Sequence, residues 1–105
     1  MDLGLKAKRA LVTGASKGIG RACARVLAGE GCDVHLVARG STDLAALAAE
    51  LSASSGRRVS FSALDLSQSA NIERLCTEAG PIDILVNNAG AIPAGTLAEV
   101  DEARW

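Results

Sequence analysis

Short apolar runs of strand length alternate along this chain with longer stretches in which apolar residues recur at helical spacing. Four strands are predicted, at Arg9 to Thr13, Asp33 to Ala38, Arg58 to Ala63 and Ile82 to Asn87. All but the more polar third fit burial on both faces. Between them, Ile19, Ala22, Cys23, Val26 and Leu27 fall at i, i+3, i+4, i+7 and i+8, which predicts a helix with that stripe against the sheet. Leu44, Leu47, Ala48 and Leu51 repeat the spacing, as do Ile72, Leu75, Cys76 and Ala79 before Gly80-Pro81 stops the segment.

The punctuation agrees with this division. Gly29 and Gly31 bracket the end of the first helix, Gly40-Ser41-Thr42-Asp43 offers caps for the second, and Ser67 or Ser69 can cap the third. Ser52-Ala53-Ser54-Ser55-Gly56 reads as a Ser-rich loop, too short to divide domains, and no repeat is visible. A β-α-β-α-β-α-β run predicts helices around a parallel sheet, with residues 1–105 forming a single domain.

Composition narrows the chemistry. With 105 residues, 49% hydrophobic and 22% charged, the chain has the make-up of one globular domain, and its aromatic content of 2% leaves the core to Leu, Val, Ile and Ala. A net charge of −1, with no interleaved aromatics, argues against nucleic acid as a partner. Cys23, Cys32 and Cys76 lack CxxC spacing and read as free thiols rather than metal ligands. No apolar stretch reaches membrane-spanning length and the N-terminus has no signal-type h-region, so no membrane partner and a cytoplasmic location are expected.

The turn after the first strand carries the chemistry. Gly14-x-x-x-Gly18-x-Gly20 leads directly into a helix whose free N–H groups and positive dipole end suit an anion. Gly14 permits a sharp exit from the strand, Gly18 lets backbone approach a pyrophosphate, and Gly20 allows close packing of helix on sheet. Glycines alone mark any tight turn; a preceding strand, a following amphipathic helix and a βαβ setting point instead to a dinucleotide. No Gly-Lys-Ser or Gly-Lys-Thr follows, which disfavours a nucleotide-hydrolysing loop.

Thr13-Gly14-Ala15-Ser16-Lys17-Gly18-Ile19-Gly20 resembles the TGxxxGxG motif of the classical short-chain dehydrogenase/reductase family, and Asn87-Asn88-Ala89-Gly90 resembles its NNAG. Leu64-Asp65-Leu66 is similar to the Asp-hydrophobic pair that borders adenine in that family. The resemblance covers nearly the whole chain and implies an α/β, Rossmann-like doubly wound parallel sheet in the order 3-2-1-4, ending after the fourth strand. It further implies that Ser16 and Ile19 contact phosphate or ribose, that Asp65 and Leu66 line the adenine pocket, and that Asn87, Ala89 and Gly90 lie along the cofactor. Read without the family, Asp65 serves equally as a loop residue capping the next helix, and the asparagines as turn residues.

Cofactor choice is read at the end of the second strand. An acidic residue there accepts from the ribose 2′-hydroxyl of NAD, whereas a basic one accommodates the 2′-phosphate of NADP. The chain has Ala38-Arg39 at that point, and Lys17 adds a cation from the glycine turn, so NADP(H) is expected over NAD(H).

The family's proton-transfer machinery is a serine, a Tyr-x-x-x-Lys pair and usually an asparagine. This chain contains no tyrosine, so no residue is assigned a catalytic role. Thr96-Leu97-Ala98-Glu99 offers a capping box for a helix running to Trp105, and the domain reads as incomplete at its C-terminus. A fourth strand without a fifth beside it would expose an edge suited to self-association. His35, within the second strand, is expected to be structural or solvent-facing. The leading expectation is the cofactor-binding portion of an oxidoreductase interconverting an alcohol and a carbonyl, its small-molecule substrate bound only in a longer form. A non-catalytic dinucleotide-binding or interaction module is the alternative, and a product without function a third; a Ser and Tyr-x-x-x-Lys encoded after Trp105 would separate the first from the others.

Overall fold

The computed structural model describes residues 6–88; Ala89, Gly90 and the helix expected from Thr96 lie outside them. Four strands, β1 (Arg9–Thr13), β2 (Asp33–Ala38), β3 (Val59–Ala63) and β4 (Ile84–Asn87), alternate with α1 (Gly18–Gly29), α2 (Ser41–Ser55) and α3 (Ser69–Ala79). The sheet is parallel throughout, as the β-α repeat predicts, and is ordered β3-β2-β1-β4, as the family resemblance implies. Both β1 and β2 have their expected limits. The β4 ladder starts later than expected: Ile82 packs into the core under α3, and the Asp83 N–H donates to the Arg9 carbonyl at 2.8 Å. Strand β3 begins at Val59 rather than Arg58, whose N–H is held by Asp33 Oδ1 at 3.1 Å.

Successive strand side chains point to opposite faces, so two cores form. Ala10 and Val12 of β1 and Val34 and Leu36 of β2 pack with α1 and α2. Leu11 and Val37 face the other way and pack with Ile72, Leu75, Cys76 and Ala79 of α3. The stripes expected for α2 and α3 are the buried ones. Each fully buried Leu contributes about 1.5–3 kcal/mol relative to exposure, so α2, with Leu44, Leu47 and Leu51 buried, is anchored mainly by those residues.

Helix α1 departs from the expectation. Its buried residues are Gly20, Ala24 and Ala28, at i, i+4 and i+8, while Ile19 is 73% and Val26 60% exposed. Ala22 is exposed as well, and only Leu27 and Cys23 of the expected stripe are partly covered. The helix is rolled to lay its smallest residues on the sheet. A Cβ at Gly20 would run into the carbonyl of Gly14 and come within 3.0 Å of Asn88 Nδ2. That contact sets the roll, and apolar periodicity alone gave the wrong face.

The α2 N-cap is Gly40, the first residue of the run expected to supply it, whereas the α3 N-cap is Gln68 rather than Ser67 or Ser69; neither cap makes a side-chain hydrogen bond. Ser52–Ser55 form the last turn of α2 rather than a loop: Ser54 and Ser55 donate back to the Leu51 carbonyl at 3.3 and 2.6 Å, which keeps their hydroxyls from competing with the helix. Gly56, at φ 70°, ends it.

His35 is structural and only 5% exposed, and the hydrogen bonds around it have one consistent direction. Arg74 Nε donates to Glu78 Oε2 at 2.8 Å, and Ser62 donates its proton to Glu78 Oε1 at 2.6 Å. Ser62 must then accept from His35 Nε2, 2.7 Å away, which leaves Nδ1 to accept from Ser60 at 2.7 Å. Burial, reinforced by the charge of Arg9 and opposed by Glu78, holds the imidazole below its usual pKa of 6.5. The Ser62 hydroxyl, followed by Arg74, holds the Glu78 carboxyl below its usual 4.5.

Two outcomes follow for stability. Gly20→Ala should cost on the order of 1–3 kcal/mol in urea unfolding through overpacking, whereas Val26→Ser should stay within about 0.5 kcal/mol as an exposed substitution. Because His35 takes up its proton more readily unfolded than folded, stability should be greatest above pH 6.5 and decline as pH falls below it. A second decline should set in below about pH 4.5, where the unfolded chain protonates Glu78 first. Urea midpoints between pH 8 and 4 measure both, and His35→Asn should remove the first decline and leave the second.

Candidate functional site

The carboxyl ends of β1, β2 and β4 meet the first turns of α1 and α2. Leaving β1, Gly14 has φ 61° and Gly18 φ 55°, a region that residues with a Cβ rarely adopt. Between them the Ala15 N–H donates to the Val37 carbonyl at 3.1 Å, tying the turn to the end of β2. The α1 N-cap is Lys17, in extended conformation and without a side-chain cap, so the first-turn N–H groups keep their capacity to donate to an anion. A Cβ at Gly18 would meet nothing within 4 Å, while Gly20 is pressed against the turn. The glycines thus divide their work: Gly18 leaves the approach open and Gly20 closes the turn from beneath. The Gly20 contact is with the turn's own carbonyl, a tighter constraint than the helix–sheet packing expected.

A cleft of about 660 Å³ opens here, lined by Gly14, Ser16, Lys17, Arg39, Asp43, Asp65, Leu66, Ser67 and Asn88, among others. A second groove of about 450 Å³ lies between α1 and α2 and shares Ser16, Lys17 and Asp43 with the cleft, adding Gly18 and Arg21. The structure therefore brings Gly14, Ser16, Lys17, Arg39, Asp65 and Leu66 together around one cavity, with Gly18 beside it. Ile19 projects outward from the start of α1. Asn87 is held at the end of β4, where Thr13 Oγ1 donates to its Oδ1 at 3.1 Å; it is Asn88 that lines the cleft.

Asp65 lines the same cleft from the segment after β3. Its Oδ1 accepts from the Ser67 N–H at 3.0 Å and the Ser67 hydroxyl at 2.7 Å, a local turn rather than a cap on α3. Its main-chain carbonyl accepts from Asn71 Nδ2 at 2.9 Å, which ties the turn to α3. The Ser67 hydroxyl, then the Ser67 N–H, holds the Asp65 carboxyl below its usual 3.8, and the positive charge of Arg39 adds to the effect. The charge of Arg39 is thus felt at the Asp65 carboxylate, and both residues line the cleft.

Four residues that shape the cleft are present in the motifs and caps read from sequence but are given no part in the site there. Thr13 is a buried strand-end hydroxyl that fixes Asn87; Ser67 orients Asp65; Asn88 packs on Gly20; and Asp43 brings a carboxylate into the cleft. Ser67 was legible in principle, since a serine two residues after an aspartate is a common turn partner. Among the described residues, no cluster of ligands could hold a metal, and no helix is long and apolar enough to cross a membrane.

A sequence model of the family described as short chain dehydrogenase matches residues 8–105. L-xylulose reductase of Mesocricetus auratus is 43% identical over 100 residues, covering 95% of this chain and 39% of the relative. D-beta-hydroxybutyrate dehydrogenase of Cupriavidus necator is 38% identical over 105 residues, covering 96% and 40%. Among solved structures, L-sorbose reductase from Gluconobacter frateurii, complexed with NADPH and L-sorbose, superposes with a TM-score of 0.76 at 41% identity, covering 86% of this chain and 36% of that one. The chain thus spans about two fifths of the length of these curated relatives.

Ser67→Ala should return the Asp65 carboxyl toward its usual 3.8, because the hydroxyl is the largest influence depressing it. A carbon-13 NMR titration of the Asp65 carboxyl would register the rise, and an unchanged midpoint would contradict the assigned hydrogen bonds.

Proposed function

The chain belongs to the short chain dehydrogenase family, and from that premise we propose that residues 1–105 are the NADP(H)-binding portion of an oxidoreductase that interconverts an alcohol and a carbonyl. The observation that carries the reading is the shared cleft, in which the cations Lys17 and Arg39 flank the glycine turn and no acidic residue occupies position 38. When bound, the nicotinamide supplies the hydride or accepts it; this chain's residues bind and orient.

In this reading the pyrophosphate lies at the start of α1, held by first-turn N–H groups and Ser16 where Gly18 leaves room for it. Ile19 faces outward to cover the phosphate–ribose portion. Asp65, kept ionised and oriented by Ser67, accepts from the adenine amino group, and Leu66 gives the ring an apolar wall. Arg39 and Lys17 neutralise the 2′-phosphate, with the planar fork of Arg39 suited to two hydrogen bonds. Asn87, Ala89 and Gly90 lie along the cofactor toward the nicotinamide.

Proton transfer is assigned to no residue of this chain, which has no tyrosine. The proposed activity is accordingly that of a longer protein whose further residues supply the proton donor, the substrate and the remaining wall of the nicotinamide site. The absence of tyrosine also favours a second reading, a dinucleotide-binding module without catalysis, and turnover of a carbonyl by the 105-residue chain alone would count against both.

NADPH should bind more tightly than NADH, and Arg39→Asp should weaken NADPH by roughly tenfold or more while leaving NADH equal or tighter, since one charge-assisted contact is worth about 1.5–3 kcal/mol. Fluorescence titrations with both nucleotides test this; equal affinities in the unsubstituted chain would refute the cofactor assignment.

A further inference from the structure

The cleft that holds Lys17 and Arg39 also holds a carboxylate that works against them. We propose that Asp43 is a specificity-determining residue, placed to oppose a 2′-phosphate and to accept a hydrogen bond from a free ribose 2′-hydroxyl. It thereby limits the preference for the phosphorylated cofactor. The inference rests on the cofactor reading above, because it concerns the same end of the same site.

Asp43 is the one acidic residue that lines both the cleft and the neighbouring groove, the two cavities that share Ser16 and Lys17. The other carboxylates nearby are committed. Asp65 accepts twice from Ser67, and Glu50, at the far end of the groove, pairs with Arg25 at 2.9 Å. Asp43 takes part in none of the ion pairs or hydrogen bonds found among the described residues. Its position has an obvious structural use, since the third residue of a helix can reach back to the N-cap N–H. Here the N-cap is Gly40 and no such bond is made, which leaves the carboxylate available to a ligand.

The chemistry follows from the sequence around it. In a site that selects NAD, the carboxylate that accepts from the 2′-hydroxyl sits at the end of β2. This chain has Ala38 at that place and puts its acid on the first turn of α2, beyond Arg39 and beside the same cleft. The arrangement gives the adenosine ribose two cations for a phosphate and one displaced acceptor for a hydroxyl. A carboxylate and a doubly charged phosphate several ångströms apart in water repel enough to change affinity by roughly three- to tenfold.

The test uses the 105-residue chain and two probes, adenosine 2′,5′-bisphosphate and adenosine 5′-monophosphate, by isothermal titration calorimetry. Asp43→Asn should tighten the bisphosphate by roughly three- to tenfold and leave the monophosphate unchanged or weaker. Asp43→Glu, which keeps the charge, should retain the original ratio, and the gain in Asp43→Asn should shrink at high salt as exposed charges are screened. Thermal unfolding of each variant separates a fold defect from a change of preference, because a purely helix-stabilising role would shift the melting temperature and not the ratio. If the unsubstituted chain binds the bisphosphate more tightly and Asp43→Asn leaves the ratio where it was, this inference is wrong and the cofactor reading stands. If the unsubstituted chain binds neither probe, or both alike, the cofactor reading falls and the inference with it.

Discussion

The approach of Gly20 to the carbonyl of Gly14 is the contact on which the arrangement of the site depends. With no room for a side-chain carbon, α1 can seat only where the turn after β1 folds beneath its first residues. Seating it there rolls the helix so that Gly20, Ala24 and Ala28 meet the sheet and Ile19 turns outward. The same roll aims the uncapped N-terminus of α1 into the cleft shared by the ends of β1 and β2. The packing of α1 and the direction of its N-terminus are therefore consequences of one steric limit.

Around that contact the chain separates structural polarity from functional polarity. On the α3 face of the sheet, Ser60, His35, Ser62, Glu78 and Arg74 form a chain in which each hydrogen bond determines the direction of the next. The buried pair His35 and Ser62 is thereby satisfied, as buried polar groups must be. At the carboxyl ends of the strands the pattern is different. The side chains of Lys17, Arg39 and Asp43 enter none of the ion pairs among the described residues, the charge of Arg39 reaches Asp65, and Asp65 is oriented by Ser67 rather than neutralised by it. The ordinary-looking histidine belongs to the core, and the exposed lysine and arginine line the cleft.

The charges in the cleft work in opposition, which is how discrimination between related ligands is built: attraction for one is combined with a cost against the other. In the proposed reading Lys17 and Arg39, which line the cleft with Asp43, favour a 2′-phosphate, and the carboxylate of Asp43 moderates them. Membership of the short chain dehydrogenase family supports a nicotinamide dinucleotide as the ligand, and the L-sorbose reductase that superposes on this chain is complexed with NADPH.

Much of this was legible from residue order. Strands β1 and β2, the buried faces of α2 and α3, the parallel β-α repeat and the glycine turn all follow from local periodicity and from glycines at fixed spacing, which need only neighbouring residues to act. What the chain could not reveal locally were decisions made between distant segments. The face that α1 buries was settled by the Gly14 carbonyl and by Asn88, far along the chain, and Ile19 and Val26 lost the core to smaller residues that let the backbones come closer. Ser52–Ser55 continue the helix, with the Ser54 and Ser55 hydroxyls donating back to the Leu51 carbonyl and that of Ser52 donating forward to Arg57. Lys17, Arg39, Asp43 and Asp65 are scattered in sequence and share a cleft because they follow β1, β2 and β3, and β2 lies between the other two in a parallel sheet. Periodicity selects the elements; the closest steric contacts between them decide which faces meet and which charges are left to bind.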